Sequence, residues 1–217
     1  MTPLILERLW EALLDTLVMV GASATFALLA GIPLAVWLVL TSPGGIIASP
    51  RVNRALGSLV NGFRATPFIV LLVALLPFTR LVAGTTIGVW AAVVPLAISA
   101  TPFFARIAEV SLREVDAGLI EAAQAMGCRR WHIVRHVLLP EALPGIVGGF
   151  TITVVALISS SAMAGAVGAG GLGDMAIRYG YQRFNTTVMV TVIVVLIALV
   201  CFIQLAGDRY VRWLKDR

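Results

Sequence analysis

The sequence predicts an all-α membrane protein of about five transmembrane helices, with one long loop between the third and the fourth. Three observations carry that reading: the composition, the lengths of the apolar runs, and the placement of the charges. Of 217 residues, 59% are of the AVILMFWYC class and 12% are charged, and the mean hydropathy is +0.98. A water-soluble chain holds about 45–50% apolar residues even with Gly counted, and about 25% charged ones. A soluble fold of this size has too little interior to hide such an excess, so most of the surface must face lipid.

A spanning helix needs about 20 predominantly apolar residues. Five stretches qualify, at 13–40, 59–78, 87–105, 143–167 and 188–206 of a single domain covering 1–217. Their continuity favours helices over barrel strands, which alternate over about ten residues. The first run is long enough to tilt, or to begin as an interfacial turn near Trp10 and Asp15, and Pro33 is placed to kink it. The residues before it show no small-residue cleavage site after a short apolar core, so no removable signal peptide is expected.

Twelve of the sixteen basic residues fall on one side of a five-span arrangement. Arg51, Arg54 and Arg64 lie at the first connection, and Arg106, Arg113, Arg129, Arg130 and Arg135 in the 106–142 loop. Arg209, Arg212, Lys215 and Arg217 lie in the tail. Excess Lys and Arg mark cytoplasmic segments, which places the 106–142 loop and the C-terminus inside and the N-terminus outside. The net charge of +5 therefore marks topology; no soluble basic domain remains to hold nucleic acid.

The charges inside the runs, Asp15 and Arg64, lie near run ends. A proton-coupled carrier working alone would keep a carboxylate at depth. Nucleotide energy needs a P-loop Lys followed by Ser or Thr, and the one Lys here is Lys215. An ATPase would have to be another polypeptide. Residues 168–173 match G-x-G-x-x-G but follow a membrane run, so they read as a turn needing positive φ, not as a cofactor site. No cofactor is expected. His132 and His136 have zinc-compatible spacing but no third ligand nearby, so no metal is expected. Cys128 and Cys201 offer no disulfide framework. Ser159, Ser160 and Ser161 have no buried acid or His in support, so hydroxyls there serve close helix approach or a polar path.

The 106–142 loop is the most informative segment. Asp116 is a good N-cap, 117–126 is rich in helix formers, and Gly127 stands where a left-handed glycine would stop a helix. A second short helix is expected over 129–138, ended by Pro140. Leu119, Ile120, Ala123 and Met126 share one face of the first helix. Such an amphipathic hairpin suits either a membrane surface or a groove on a cytoplasmic partner.

The residues here carry a resemblance. Glu121-Ala122-Ala123, three residues, Gly127, nine residues, Val137, one residue and Leu139-Pro140 resemble the EAA loop of binding-protein-dependent ABC importer permeases, where Ile is usual at the place of Val137. Phe63-Arg64-Ala65-Thr66-Pro67-Phe68-Ile69, Leu76-Pro77-Phe78-Thr79-Arg80, Ser161-Ala162-Met163, the 168–173 glycines and Ala206-Gly207-Asp208-Arg209 resemble the methionine-uptake subfamily. The resemblance implies a type I importer permease fold in a bacterial cytoplasmic (inner) membrane. It also implies a homodimer, two copies of a separate ATP-binding ABC subunit, an extracytoplasmic substrate-binding protein, and no ATPase site in this chain. The implied cargo is L- or D-methionine, with another small amino acid as the alternative. Glu121, Ala122, Ala123, Met126 and Gly127 would then seat in the ATPase groove as a coupling helix, and Leu139-Pro140 would set the return to the fourth span.

On the fourth span, Gly145, Gly149, Thr153 and Ala156 recur at three- or four-residue steps, the spacing of close helix packing, and are expected at the dimer axis. Ser160, Ser161 and Met163 follow, the last as a flexible apolar gate. Pro95 and Pro102, with Ser99 and Thr101 between them, could open carbonyls to the path. In the outer loop, Gly168, Gly170, Gly171 and Gly173 are the expected docking surface for the binding protein.

Overall fold

The computed structural model describes residues 3–216; Met1, Thr2 and Arg217, the last counted above in the tail, lie outside the described residues. Among the described residues there are helices and no strands. Four helices are long and apolar enough to cross a membrane, or five if one bent pair counts as a span.

Helix α1 (Pro3–Leu40) runs 38 residues without a break at Pro33. Polar side chains survive in this apolar helix by bonding back to its own turns: the Thr16 hydroxyl donates to the Ala12 carbonyl at 2.9 Å and Thr25 to Gly21 at 2.8 Å. Its last carbonyls, which lack intrahelical partners, are covered by neighbours. Thr41 Oγ1 donates to Trp37, Ser42 Oγ to Val39, and Asn53 Nδ2 to Leu38, each at 2.7 Å.

The expected second span, 59–78, is not one helix. It is divided among α2 (Pro50–Ala65), α3 (Phe68–Ala74) and α4 (Leu76–Ala83), and α2 and α3 meet at 103°. Pro67 explains the corner. It has no N–H and forces the residue before it out of the helical region, and Thr66 is extended at φ −80, ψ 123. Apolar continuity through Thr66-Pro67 masked the break.

The third expected span grows to α5 (Val89–Arg113), continuous through Pro95 and Pro102. It is the central post of the fold, packing on α1, on the short helices α2 to α4, and on the long helix over 139–166. The hairpin follows as α6 (Ala117–Ala125) and α7 (Arg130–Ile133). Pro140 does not end the second hairpin helix as expected. A wide π turn over Val134–Leu138 runs straight into α8 (Leu139–Ala166). Proline at 140 can neither bond the carbonyl at 136 nor tolerate it nearby. Shifting to i−5 pairing, as the Leu139 N–H does with the Val134 carbonyl, carries the chain past it. Helix α9 (Gly171–Met175), a second π turn over Ala176–Tyr181 and α10 (Thr186–Lys215) complete the chain.

The core has three parts. Met19, Leu96, Leu157 and Ile158 fill the centre. Phe104, Leu112, Val134 and Leu138 fill the end bearing α6, and Leu172, Met175, Val188 and Val192 the end bearing α9. Helix α10 buries only Val188 and Val192 among the described residues; Val194, Ile197, Phe202 and Leu205 stay exposed, as a lipid-facing helix requires.

Thr16 also holds the far end together. Its Oγ1 accepts the Leu172 N–H at 2.9 Å across 156 residues of sequence, so a side chain of α1 caps the first turn of α9. Thr16→Val keeps the shape and leaves that buried donor unpaired. The expected cost is about 1–3 kcal/mol, read as a lower melting temperature of the detergent-solubilised protein.

Candidate functional site

Two regions gather the chemistry, the α6 hairpin and a pocket beside the α2–α3 corner. In the hairpin, Asp116 Oδ1 accepts the Gly118 N–H at 2.6 Å, a short N-terminal cap. The other end closes with two bonds, Cys128 N–H to the Ala123 carbonyl at 3.1 Å and Gly127 N–H to Gln124 at 2.9 Å. Gly127 is left-handed at φ +75, the conformation this paired stop needs and a side chain resists. A nine-residue helix is too short to hold itself in water, so these caps and its packing carry it.

The expected apolar face of α6 divides. Ile120 and Ala123 turn inward, while Leu119 is 45% and Met126 75% exposed. Glu121, Ala122 and Gly127 are exposed as well, so the projecting surface mixes one carboxylate with small and apolar groups. Leu139 packs into the adjoining core and Pro140 stays exposed. His132 and His136 stack with ring centres 4.0 Å apart. Among the described residues, no group of three or more His, Cys, Asp or Glu is placed to hold a metal.

A clasp missed in the sequence lies just before the hairpin. Glu109 is 2% exposed and receives Arg106 at 2.7 Å and Arg113 at 2.7 and 3.0 Å. The two Arg side chains remain 40% and 45% exposed. The signal is present as Arg at i−3 and i+4 of one Glu, but a span expected to end at 105 places those charges in a loop.

The pocket lies between α2, α3, α5 and α8 and has a volume of about 310 Å³. It brings together Ser99, Ser160, Thr153 and Ala156 with Phe63, Arg64, Phe68 and Phe103. Thr101 and Ser161 do not join them: Thr101 donates to the Ala97 carbonyl at 2.7 Å, and Ser161 is buried and donates to Ile158 at 2.8 Å. Met163 is 51% exposed. It lies at i+3 from Ser160 and i+7 from Ala156, hence on the same helix face.

Two sets of glycines make close contacts within the chain. Gly145 and Gly149 face α5 of the same chain: an added Cβ would lie 2.7 Å from Ser111 Oγ and 2.5 Å from Ile107. Thr153 is fully buried. Gly149 and Thr153 are thus buried within the chain, while Gly145 stays exposed and Ala156 half-buried. The 168–173 glycines form a joint in which Gly168 and Gly170 stay half-exposed. Gly168, Gly170 and Gly171 have φ of +94, +87 and +77, and Gly171 and Gly173 are buried against Thr16 and Ala162. The exposed groups at this end come later in the loop, with Tyr181 66% and Phe184 88% exposed. Behind them Arg8 and Arg183 lie over the Tyr179 ring at 5.5 and 4.7 Å.

Comparison with known proteins adds to this geometry. Residues 27–217 match the family described as binding-protein-dependent transport system inner membrane component. The chain is 50% identical over 214 residues to a probable D-methionine transport system permease protein of Vibrio cholerae, covering 99% of this chain and 93% of that one. It is 43% identical to a methionine import system permease protein of Bacillus subtilis, covering 94% and 91%. A solved structure of the MetNI methionine ABC transporter, in inward-facing conformations, contains a chain 50% identical to this one. It superimposes with a TM-score of 0.97 over 99% of both chains. The chain, a multi-pass protein with several apolar helices, thus belongs to the family of binding-protein-dependent transport system inner membrane components.

Proposed function

We propose that this chain is the membrane-spanning half of an ATP-driven importer of methionine, in the L form, the D form or both. The full-length 50% identity to a D-methionine permease carries the reading. Two copies would form the path, two separate ATP-binding subunits would drive it, and an extracytoplasmic protein would deliver the cargo. The Lys and Arg distribution supports a cytoplasmic α6 end and C-terminus and an outer N-terminus.

Helix α6 suits the coupling role because its exposed Glu121, Ala122 and Met126 project beside Gly127 from a capped, packed base. Leu139-Pro140 and the π turn join that base rigidly to α8, so displacement of α6 would tilt α8, a lever for alternating access. The pocket lined by Ser99 and Ser160 suits the path. Ile152, Ala156, Ser159 and Met163 fall at i, i+4, i+7 and i+11, a stripe that suits the second copy with Met163 as its gate. Tyr181 and Phe184 suit docking of the delivering protein better than the glycine joint does.

Two measurements test this. Deleting the gene and restoring it should abolish and recover uptake of labelled methionine, with L and D isomers compared. Glu121→Lys, which reverses the charge on the projecting face, is expected to reduce copurification of the ATPase subunit and to cut uptake by about tenfold or more, as loss of an interface charge contact of about 1.4 kcal/mol would. Unchanged copurification and uptake would remove the coupling assignment.

A further inference from the structure

We infer that the pocket at the α2–α3 corner is a transient binding site for the α-carboxylate of the carried amino acid, with Arg64 as the group that receives it. The inference rests on the amino-acid importer reading above. Arg64 is the one ionisable residue lining this pocket. It stands in the last turn of α2, immediately before the 103° corner, which puts the residue at the pocket's edge. Among the described residues no carboxylate lies within ion-pair distance of it.

The rest of the lining complements the remainder of such a cargo. Phe63, Phe68 and Phe103 supply aromatic surface, on which an apolar or thioether side chain packs favourably. Among the described residues the Ser99 and Ser160 hydroxyls have no protein partner and remain free to accept from an ammonium group. Thr153, in contrast, is committed to the Gly149 carbonyl at 2.8 Å. The volume of about 310 Å³ is at the small end of the roughly 300–1,000 Å³ of small-molecule sites. A carboxylate fits the planar fork of an Arg in two parallel bonds that an ammonium point charge cannot copy. Arg64 is solvent-exposed, which keeps the attraction weak, and a path must release what it binds. The effect therefore belongs to turnover and not to affinity, which the delivering protein would set.

The test is uptake by liposomes carrying the complete complex with its binding protein. Arg64→Gln is expected to lower the maximal uptake rate by about tenfold, the worth of one charge-assisted contact, with the half-saturating concentration moving less than about twofold. Arg64→Lys should retain roughly a third of the rate, since the charge survives without the fork. Ser160→Ala, which leaves the helix intact, should slow uptake severalfold. Near-normal uptake by Arg64→Gln, or Lys as poor as Gln, would overturn the inference. So would failure of Arg64→Gln to assemble together with normal Ser160→Ala uptake. If the wild-type complex carries no methionine, the cargo assignment fails separately. The same variants are then measured with the cargo it does carry, and a cargo lacking a carboxylate overturns the inference.

Discussion

Replacing Glu109 by Gln is expected to disconnect α6 from the membrane helices while leaving the helices themselves in place. The carboxylate is 2% exposed and accepts from both Arg106 and Arg113. An amide has one acceptor oxygen, and its NH₂ would face a guanidinium, donor against donor, at a buried position. Each hydrogen bond to a charged group is worth about 1.5–3 kcal/mol. Because the two Arg side chains are nearly half exposed and can turn to water, a net loss of about 2 kcal/mol is the reasonable scale, below that of a fully buried pair. The location matters more than the amount. Arg113 is the last residue of α5, and only Glu114, Val115 and Asp116 separate it from α6. A clasp at 106, 109 and 113 stiffens the final turns of the arm that holds α6. Measured on the assembled complex, Glu109→Gln should lower the melting temperature by several degrees. It should also reduce methionine uptake more than ATP hydrolysis. Equal loss of both, or loss of neither, would show that the clasp serves stability alone or nothing measurable.

Gly173→Ala is expected to be the most damaging single methyl in the chain. A Cβ at 173 would overlap the Ala162 carbonyl and stand 2.5 Å from the Ala162 Cα. Those are backbone atoms of α8, so no side-chain rotation can make room. Helix α9 would have to lift off α8, loosening Leu172 and Met175, which are 0% and 4% exposed, and the Thr16 cap on Leu172. Overpacking costs about 1–3 kcal/mol where side chains yield; with backbone in the way and a cap lost, at least about 3 kcal/mol is expected. The readout is the amount of folded protein extracted from membranes and its melting temperature. Phe184→Ala is the contrast. That side chain is 88% exposed at a φ of +52, a backbone conformation bulky residues resist. Its loss should leave stability intact and weaken only docking of the delivering protein. Normal folding of Gly173→Ala would remove the joint from the account.

Both predictions come from places where local sequence was ambiguous. Residues 168–173 read as a turn needing positive φ, and three of the glycines have it. That Gly171 and Gly173 are buried within this turn depends on α1 and α8 lying across it. Gly145 and Gly149 read as a close-packing pair, which they are. Small-residue spacing says that something approaches closely; that Ser111 and Ile107 of α5 do so is seen only in the fold. Hairpin caps were legible because they are local: Asp116 and Gly127 bond only to backbone within five residues. Pro140 was legible as a disturbance, but the residues around it do not by themselves choose between a stop and the π turn that carries the helix past it.

The sequence alone determined that most of the chain faces lipid, which segments are long apolar helices, and where a capped hairpin projects between two of them. Those features follow from composition, periodicity and neighbours a few residues apart. Tertiary structure alone decided that 59–78 is bent at a corner and is not one straight helix. It also decided that Glu109 is buried between two arginines and that Arg64 shares a pocket with Ser99 and Ser160. The Arg64 pocket and the burial of Glu109 depend on helices distant in sequence, whereas the arginine spacing about Glu109 and Pro67 at the corner are local signals that the continuity of the apolar run masked.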